Sequence, residues 1–439
     1  MNKNCSLNNN KSSWIWYLSF ALLISIPSRS FSVDCNGNGI VDVTDISAGY
    51  ATDCNGDGQI DSCPPTVHTG LTFSPPNTTQ VGNNYHNDIK SADLNGDSFA
   101  DVVVLDTLGT AFVYLNGTSS FTPSAQIPNA GRNIALADLN GDGKVDIAAV
   151  QVYPDKRINI YFNYGNGSFN LTPLTLDTEI PLSSVNGPNA IQAGDIDGDG
   201  RADIIVSYSS DSQIRVFLAG VNYNFAKRYT VTGPSVVRSI ALVDIDNDSD
   251  LDFAATSFTS NLVMVKKNQG LGRFSSEISY PTASQPAVVQ VADFNRDGAM
   301  DLIVANATFT NAVQVLLNLG GSSGIFALPV SVSSNVIFPT DLVVADFNGD
   351  GRTDFATVHG ASGSSLDLRV SLNGDNSGTF FTTAFPLAPV LRPAWRFARG
   401  DIDGNGLMDL FFGDYTYSMS ASPKYFGAFL NTTTIPSCF

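Results

Sequence analysis

Seven in-phase copies of one acidic nine-residue loop, short apolar runs flanking each copy, and an acid complement that is almost entirely Asp predict an all-β chain. The architecture they predict is a seven-bladed propeller of four-stranded blades. The loop reads Asp-x-Asn/Asp-x-Asp/Asn-Gly-x-x-Asp and begins at Asp93, Asp138, Asp195, Asp244, Asp293, Asp346 and Asp401, at intervals of 45, 57, 49, 49, 53 and 55 residues. Of 41 acidic residues only Glu179 and Glu277 are Glu. Glu favours helices, whereas Asp favours turns and ligand loops. A 43% hydrophobic content excludes wholesale disorder, and 15% charged residues argue against coiled coils and salt-bridged bundles.

Each repeat supplies its elements in one order. An apolar run such as Ile134–Ala137 precedes the loop, and a second such as Asp146–Val150 follows it. A third run ends in an Asn/Gly turn and a Phe, as in Tyr161–Phe169 and Lys267–Phe274; a weaker fourth follows, as in Glu277–Tyr280. Four short strands in roughly 50 residues make one blade. The last repeat offers strands near Arg396–Gly400, Asp409–Phe412 and Tyr425–Leu430 but no fourth. Leu71–Pro75, ahead of the first repeat, is expected to complete it and so remove an open sheet edge.

Residues 1–32 read as a secretory signal, with Lys3 and Lys11 ahead of the apolar run Trp14–Ile26, which is too short to span a bilayer. A secreted or cell-surface protein that does not cross the membrane after cleavage is expected. Cleavage leaves Cys35, Cys54, Cys63 and Cys438, an even count suited to two disulfides in an oxidising compartment. Cys63 and Cys438 both fall near the blade-seven closure, so a Cys63–Cys438 bridge is expected, leaving Cys35 with Cys54. Three domains follow: the signal at 1–32, a small calcium segment at 33–65, and the propeller at 66–439.

The loops carry hard-cation chemistry. Side-chain oxygens at positions 1, 3 and 5, a Gly for the turn, a backbone carbonyl at 7 and a carboxylate at 9 suit Ca²⁺ better than the stricter octahedron of Mg²⁺. The expected ligands are Asp93, Asn95, Asp97 and Asp101; Asp138, Asn140, Asp142 and Asp146; Asp195, Asp197, Asp199 and Asp203; Asp244, Asp246, Asp248 and Asp252. Asp293, Asn295, Asp297 and Asp301; Asp346, Asn348, Asp350 and Asp354; and Asp401, Asp403, Asn405 and Asp409 complete the seven. Ser98 and Ser249 replace the Gly in two loops, which are expected to be weaker sites or empty ones. Upstream, Asp34, Asn36, Asn38, Asp42 and Asp45 match an EF-hand loop, while Asp53, Asn55, Asp57 and Asp61 lack the closing acid. Up to nine Ca²⁺ are thus expected, those at Asp53, Asp93 and Asp244 being the weakest candidates. Thirty of the 41 acids lie in these loops, so calcium accounts for most of the formal charge of −18 without a basic partner. Nucleic-acid binding is excluded, because a phosphate backbone needs a basic surface.

The motifs Val291-Ala-Asp-Phe-Asn-Arg-Asp-Gly-Ala-Met-Asp-Leu302 and Val344-Ala-Asp-Phe-Asn-Gly-Asp-Gly-Arg-Thr-Asp-Phe355 resemble FG-GAP/VCBS repeats, the repeats of integrin α-subunit propellers and of many secreted bacterial proteins. The resemblance spans roughly residues 66–439 and implies a seven-bladed propeller with calcium in the loops joining strands one and two. The N-terminal pair resembles dockerin-type or thrombospondin-type-3-like calcium repeats. Its loop cysteines and 19-residue spacing depart from ordinary dockerins.

The face opposite the loops is where such a ring presents ligand surface. It is expected to carry Asn84, Tyr85, His86, Arg132, Asn133, Tyr153, Asn186, Asn189, Arg238, Trp395, Arg396 and Tyr415. Among these Arg132, Asn189, Arg238, Trp395 and Arg396 are the candidate ligand-binding residues, since aromatic rings stack on sugars while amides and guanidiniums bond hydroxyls or carboxylates. Only His68, His86 and His359 are present, and neither a zinc-protease motif nor a nucleophile elbow nor a Walker loop occurs. A monomeric, non-enzymatic binding or adhesion protein for glycans or an extracellular protein is therefore expected. The alternatives are a calcium-dependent polysaccharide lyase and a cellulosome-type docking component.

Overall fold

The computed structural model describes residues 71–433 except 83, 118–119, 152–155, 179–187, 209–211, 226, 333–335, 360–366, 380, 382–384, 387–393 and 415–423. The expected signal segment, the EF-hand-like pair and all four cysteines of the expected disulfides lie outside the described residues. The chain divides into two units, and the propeller occupies residues 71–348 and 352–433. No helix among the described residues is long and apolar enough to cross a membrane.

Seven four-stranded antiparallel sheets form, one per acidic loop, with two short 3-10 turns at Val221–Tyr223 and Gly321–Ser323. The first strands are His86–Ala92, Asn133–Ala137, Pro188–Gly194, Val237–Val243, Pro286–Ala292, Pro339–Ala345 and Ala394–Gly400. Second strands such as Asp101–Asp106, Asp252–Ser257 and Asp301–Asn306 are buried at every position. Burial of both faces is why they read as continuous apolar runs rather than alternating ones.

The core is divided among the seams between blades. Among the described residues there are seven apolar clusters, each shared by two adjacent sheets. One joins Val103, Leu105 and Val113 of blade one to Ile134, Ile147 and Tyr161 of blade two. Another joins Ile89, Val102 and Tyr114 of blade one to Phe411, Phe426 and Ala428 of blade seven, and thereby closes the ring. Among the described residues every apolar cluster spans two blades, so a lone repeat would leave its packing faces in water.

Closure uses the N-terminal strand, as expected, but a different stretch of it. Asn77–Gln80 pairs antiparallel with Tyr425–Phe429, with Asn77 opposite Ala428 and Gln80 opposite Tyr425. Of the expected Leu71–Pro75 segment, Phe73 makes an isolated bridge to Asn431, and the Ser74 N–H donates to Leu430 O at 2.8 Å. Leu71 and Phe73 pack on the apolar seam between blades six and seven instead of forming the strand. Their side chains are larger and more apolar than those of Asn77-Thr-Thr-Gln80, so they serve as seals while the polar segment supplies the edge.

Candidate functional site

The acidic loops are the hairpin connections between first and second strands. The last residue of a first strand faces position nine of its loop, as in Ala92 opposite Asp101, Val243 opposite Asp252 and Gly400 opposite Asp409. All seven loops therefore emerge at one end of their blades.

Within each loop the first carboxylate gathers backbone donors. Its Oδ2 accepts the N–H of position six, as from Ser98 at 2.8 Å, Gly143 at 2.7 Å, Gly200 at 2.8 Å, Ser249 at 2.9 Å, Gly298 at 2.9 Å and Gly406 at 2.9 Å. This turn needs a left-handed backbone at position six. Gly143 has φ 80° and Gly298 φ 84°, and Ser98 and Ser249 adopt the same region at 71° and 75°. The two serine loops thus keep the conformation of the glycine loops, with a strained residue at the turn.

Position nine has a structural role that the loop pattern did not predict. In every blade its Oδ2 accepts the N–H of position two, from 2.6 Å for Ile402 to Asp409 up to 3.0 Å for Leu139 to Asp146. Its Oδ1 accepts an N–H from the end of the third strand or just beyond it, such as Asn116 to Asp101 at 2.7 Å and Asn318 to Asp301 at 2.7 Å. The carboxyl is fully buried in all seven blades. Burial, opposed by those two N–H bonds and assisted by neighbouring acids, raises Asp101, Asp146 and Asp301 to about 6 and Asp203, Asp252 and Asp409 to about 7.

The third-strand Asn then reaches across a seam. Asn163 Nδ2 donates to Leu94 O of the preceding blade at 2.8 Å, Asn268 to Ile196 O at 2.6 Å, Asn318 to Ile245 O at 2.8 Å and Asn373 to Phe294 O at 2.8 Å. Asn431 reaches Phe347 O at 2.6 Å, and Asn116 closes the circle on Ile402 O at 2.6 Å. Blade three carries Ala219 at this position; its N–H still meets Asp203 at 2.7 Å, but it has no amide to offer blade two. The recurring Asn in the Asn/Gly turns was the available signal, legible as a turn former but not as an inter-blade bond.

The donor set suits a hard divalent cation. Among the described residues, Asp195, Asp197 and Asp199; Asp244, Asp246 and Asp248; and Asp401, Asp403 and Asp409 each bring three carboxylate oxygens within 4.8 Å of one another. Asp246 Oδ1 is buried without a hydrogen-bond partner, an orphaned acceptor inside the fourth loop. The chain's own cations already sit on these acids: Lys144 on Asp142 at 3.2 Å, Lys267 on Asp246 at 3.0 Å, and Arg201 on Asp199. Such pairs stand where a metal's charge would act. The expected ligands Asp93, Asn95 and Asp97, Asp138 and Asn140, and Asp293, Asn295 and Asp297 occupy the corresponding positions of loops one, two and five. The same residues are bonded within their loops, as Asn95 Nδ2 is to Asp97 at 2.9 Å and Asn295 Nδ2 to Asp297 at 2.8 Å.

At the opposite end the first strands converge on a cavity of about 390 Å³, whose lining includes Asn87, Arg132, Asn189, Arg238, Thr340 and Arg396. Four of the five candidate ligand-binding residues therefore meet at one mouth; the Trp395 side chain lies outside what is described. A shift of register marks the mouth end of six first strands, for example between Val237 and Ile240 and between Pro188 and Ala190. Bulges of this kind re-aim side chains out of the ladder. A neighbouring groove of about 350 Å³ shares Asn87 and Arg132 and runs along Leu108 and Gly131. Gly131 is obligatory there, with φ 155° and a hypothetical Cβ only 2.4 Å from Val150 O.

His86 departs from expectation. It starts the first strand of blade one but is 1% exposed, with Gly413 against its ring, and burial lowers its pKa to about 4. It is a neutral packing residue of the ring-closing seam and not part of the ligand face. Tyr153, Asn186 and Tyr415 lie outside the described residues.

A family model described as an FG-GAP-like repeat matches residues 93–149, 138–206, 199–255, 244–304 and 297–357. No curated protein matches the chain. Among solved structures, BBS1N in complex with ARL6DN is 12% identical with a TM-score of 0.56, covering 83% of this chain and 98% of that one. The periplasmic gluconolactonase PpgL of Pseudomonas aeruginosa is 16% identical with a TM-score of 0.51, covering 70% and 85%. A lectin from Agrocybe aegerita that recognises non-reducing terminal N-acetylglucosamine is 19% identical with a TM-score of 0.49, covering 82% and 100%.

Proposed function

We propose that this chain, which belongs to the FG-GAP-like repeat family, is an exported, calcium-stabilised binding propeller that takes a glycan at the mouth opposite its acidic loops. One observation carries the reading: six of the seven first strands deliver Asn, Arg or Thr side chains to a single concave cavity of about 390 Å³, and the fifth contributes Ala287. That size suits a small ligand or the end of an oligomer, whereas a stable protein partner needs about 800 Å² of surface on each side. Calcium is assigned to the loops because their ligands are all oxygen, three clusters bring carboxylates together, and Asp246 holds an unspent buried acceptor.

The fold alone does not choose between binding and catalysis, since similar propellers include one solved with a protein partner and one named a gluconolactonase. The chemistry of the channel favours binding. Its carboxylates, Asp88 and Asp341, are held by backbone donors: Ile89 and Ile134 N–H on Asp88, at 3.0 Å each, and Leu342 and Phe397 N–H on Asp341, at 2.9 and 2.8 Å. Both oxygens of each are committed, which makes them poor acid–base groups for a lyase.

The full chain, loaded with calcium and then chelated, is to be screened on a broad glycan array. Discrete hits that vanish in chelator are the expected result. A blank array from folded, calcium-loaded protein overturns the glycan reading and leaves an extracellular protein as the ligand class.

A further inference from the structure

We infer that the mouth of the central channel is an anion site, and that the glycan it takes ends in an acidic sugar whose carboxylate or sulfate sits among Arg132, Arg238 and Arg396. The inference rests on the glycan-binding reading and narrows it to a substrate class.

Three guanidiniums line one cavity, and among the described residues no acidic side chain lines it with them. An adjoining pocket of about 80 Å³ is lined by Asp88 and Asp341 together with Lys90, Arg238 and Arg396, so cations outnumber carboxylates there too. This is a local inversion of sign in a chain whose formal charge is −18.

The three arginines are held in different ways. Arg238 lies over the Phe258 ring, 3.6 Å from its centroid, and among the described residues its guanidinium makes no hydrogen bond or ion pair. Stacking fixes the plane and leaves all five N–H donors unspent. Arg396 is anchored by its Nε to Asn87 O at 3.3 Å and by Nη1 to Thr340 O at 3.2 Å, which keeps Nη2 for a ligand. The Arg132 side chain has no partner among the described residues and borders both the mouth and the adjoining groove.

Burial, together with the charges of Arg396 and Arg132, pushes the Arg238 pKa below its ordinary value. Like charges crowded in a concavity with free donors are stabilised by an anion, and a planar fork binds carboxylate or sulfate with two parallel bonds. The groove beside the mouth gives room for further sugar units, with Gln151 and Asn129 along it. A single acidic residue at a chain end matches the three guanidiniums gathered at the mouth.

The test uses the full, calcium-loaded chain and two pairs: cellobiouronic acid against cellobiose, which differ by one carboxylate, and sialyllactose against lactose, which differ by one terminal acidic sugar. Calorimetric titration is expected to show at least about tenfold preference for one acidic member over its neutral partner, weakening as salt rises. Arg132→Gln and Arg238→Gln should each remove most of that preference, while the melting temperature and calcium content stay at the wild-type values. Arg238→Lys serves as a second variant if the Gln form unfolds, since it keeps the charge but loses the stacked fork. Equal binding of acidic and neutral members overturns the anion site and leaves the glycan reading standing. Binding of free sulfate or a phosphoserine peptide, with none to any glycan, overturns the acidic-sugar class and the glycan reading together.

Discussion

Ser249 and Ser98 hold left-handed backbone at a turn where five other loops have Gly. A side chain there costs about 1 kcal/mol or more, because Cβ crowds the following carbonyl. Ser249→Gly is therefore expected to raise stability by about 1 kcal/mol in urea denaturation. A variant no more stable than the parent would mean that the hydroxyl compensates the strain. His86 teaches the converse lesson at the same scale. Its place before a first strand suggested the ligand face, but a β-strand turns successive side chains to opposite sides, and this one points into the seam against Gly413. Residue type was legible in the sequence and side-chain direction was not, because a bulge between His86 and Asp88 shifts the alternation locally.

The loop and the Asn that follows the third strand form one hydrogen-bonded unit repeated around the ring. In blade five, Asn318 N–H bonds Asp301, and its side-chain amide reaches Ile245 O of blade four and Met300 O of its own loop, the latter at 3.2 Å. Asn318 is buried, so Asn318→Ala strands two carbonyls and is expected to cost about 1–3 kcal/mol in denaturant unfolding. Wild-type stability in that variant would show that the apolar seam alone holds the blades together. The Asp-rich pattern was readable as an element because seven copies share phase. Its partners were not readable, since the bonds from Asn163 to Leu94 and from Asn431 to Phe347 join residues distant in sequence.

Across the whole molecule the buried ninth-position acids couple stability to pH and to metal. Six have native values raised to about 6 or 7, against an ordinary 3.8. Without metal the native state binds more protons than the unfolded chain in that window. Their stabilising contribution is full below 3.8 and is lost as pH rises through 6 to 7. His86, lowered to about 4, runs the other way below 6.5, one group against six. In chelator the melting temperature is expected to fall as pH is raised from about 5.5 to 8; with saturating calcium, which favours the ionised form, the trend should reverse or flatten. Scanning calorimetry at several pH values decides it, and a chelated chain that gains stability with rising pH would show that burial of these acids does not control the balance. At this scale the division of labour between sequence and tertiary structure is plain. Repeat number, blade composition and the oxygen-rich loops were determined by the sequence alone, because they are local patterns that recur in phase. The mouth with its three arginines, the shared seams and the closing strand at Asn77–Gln80 were decided only in three dimensions. Arg132, Arg238 and Arg396 are far apart along the chain, and only closure of the ring makes them neighbours.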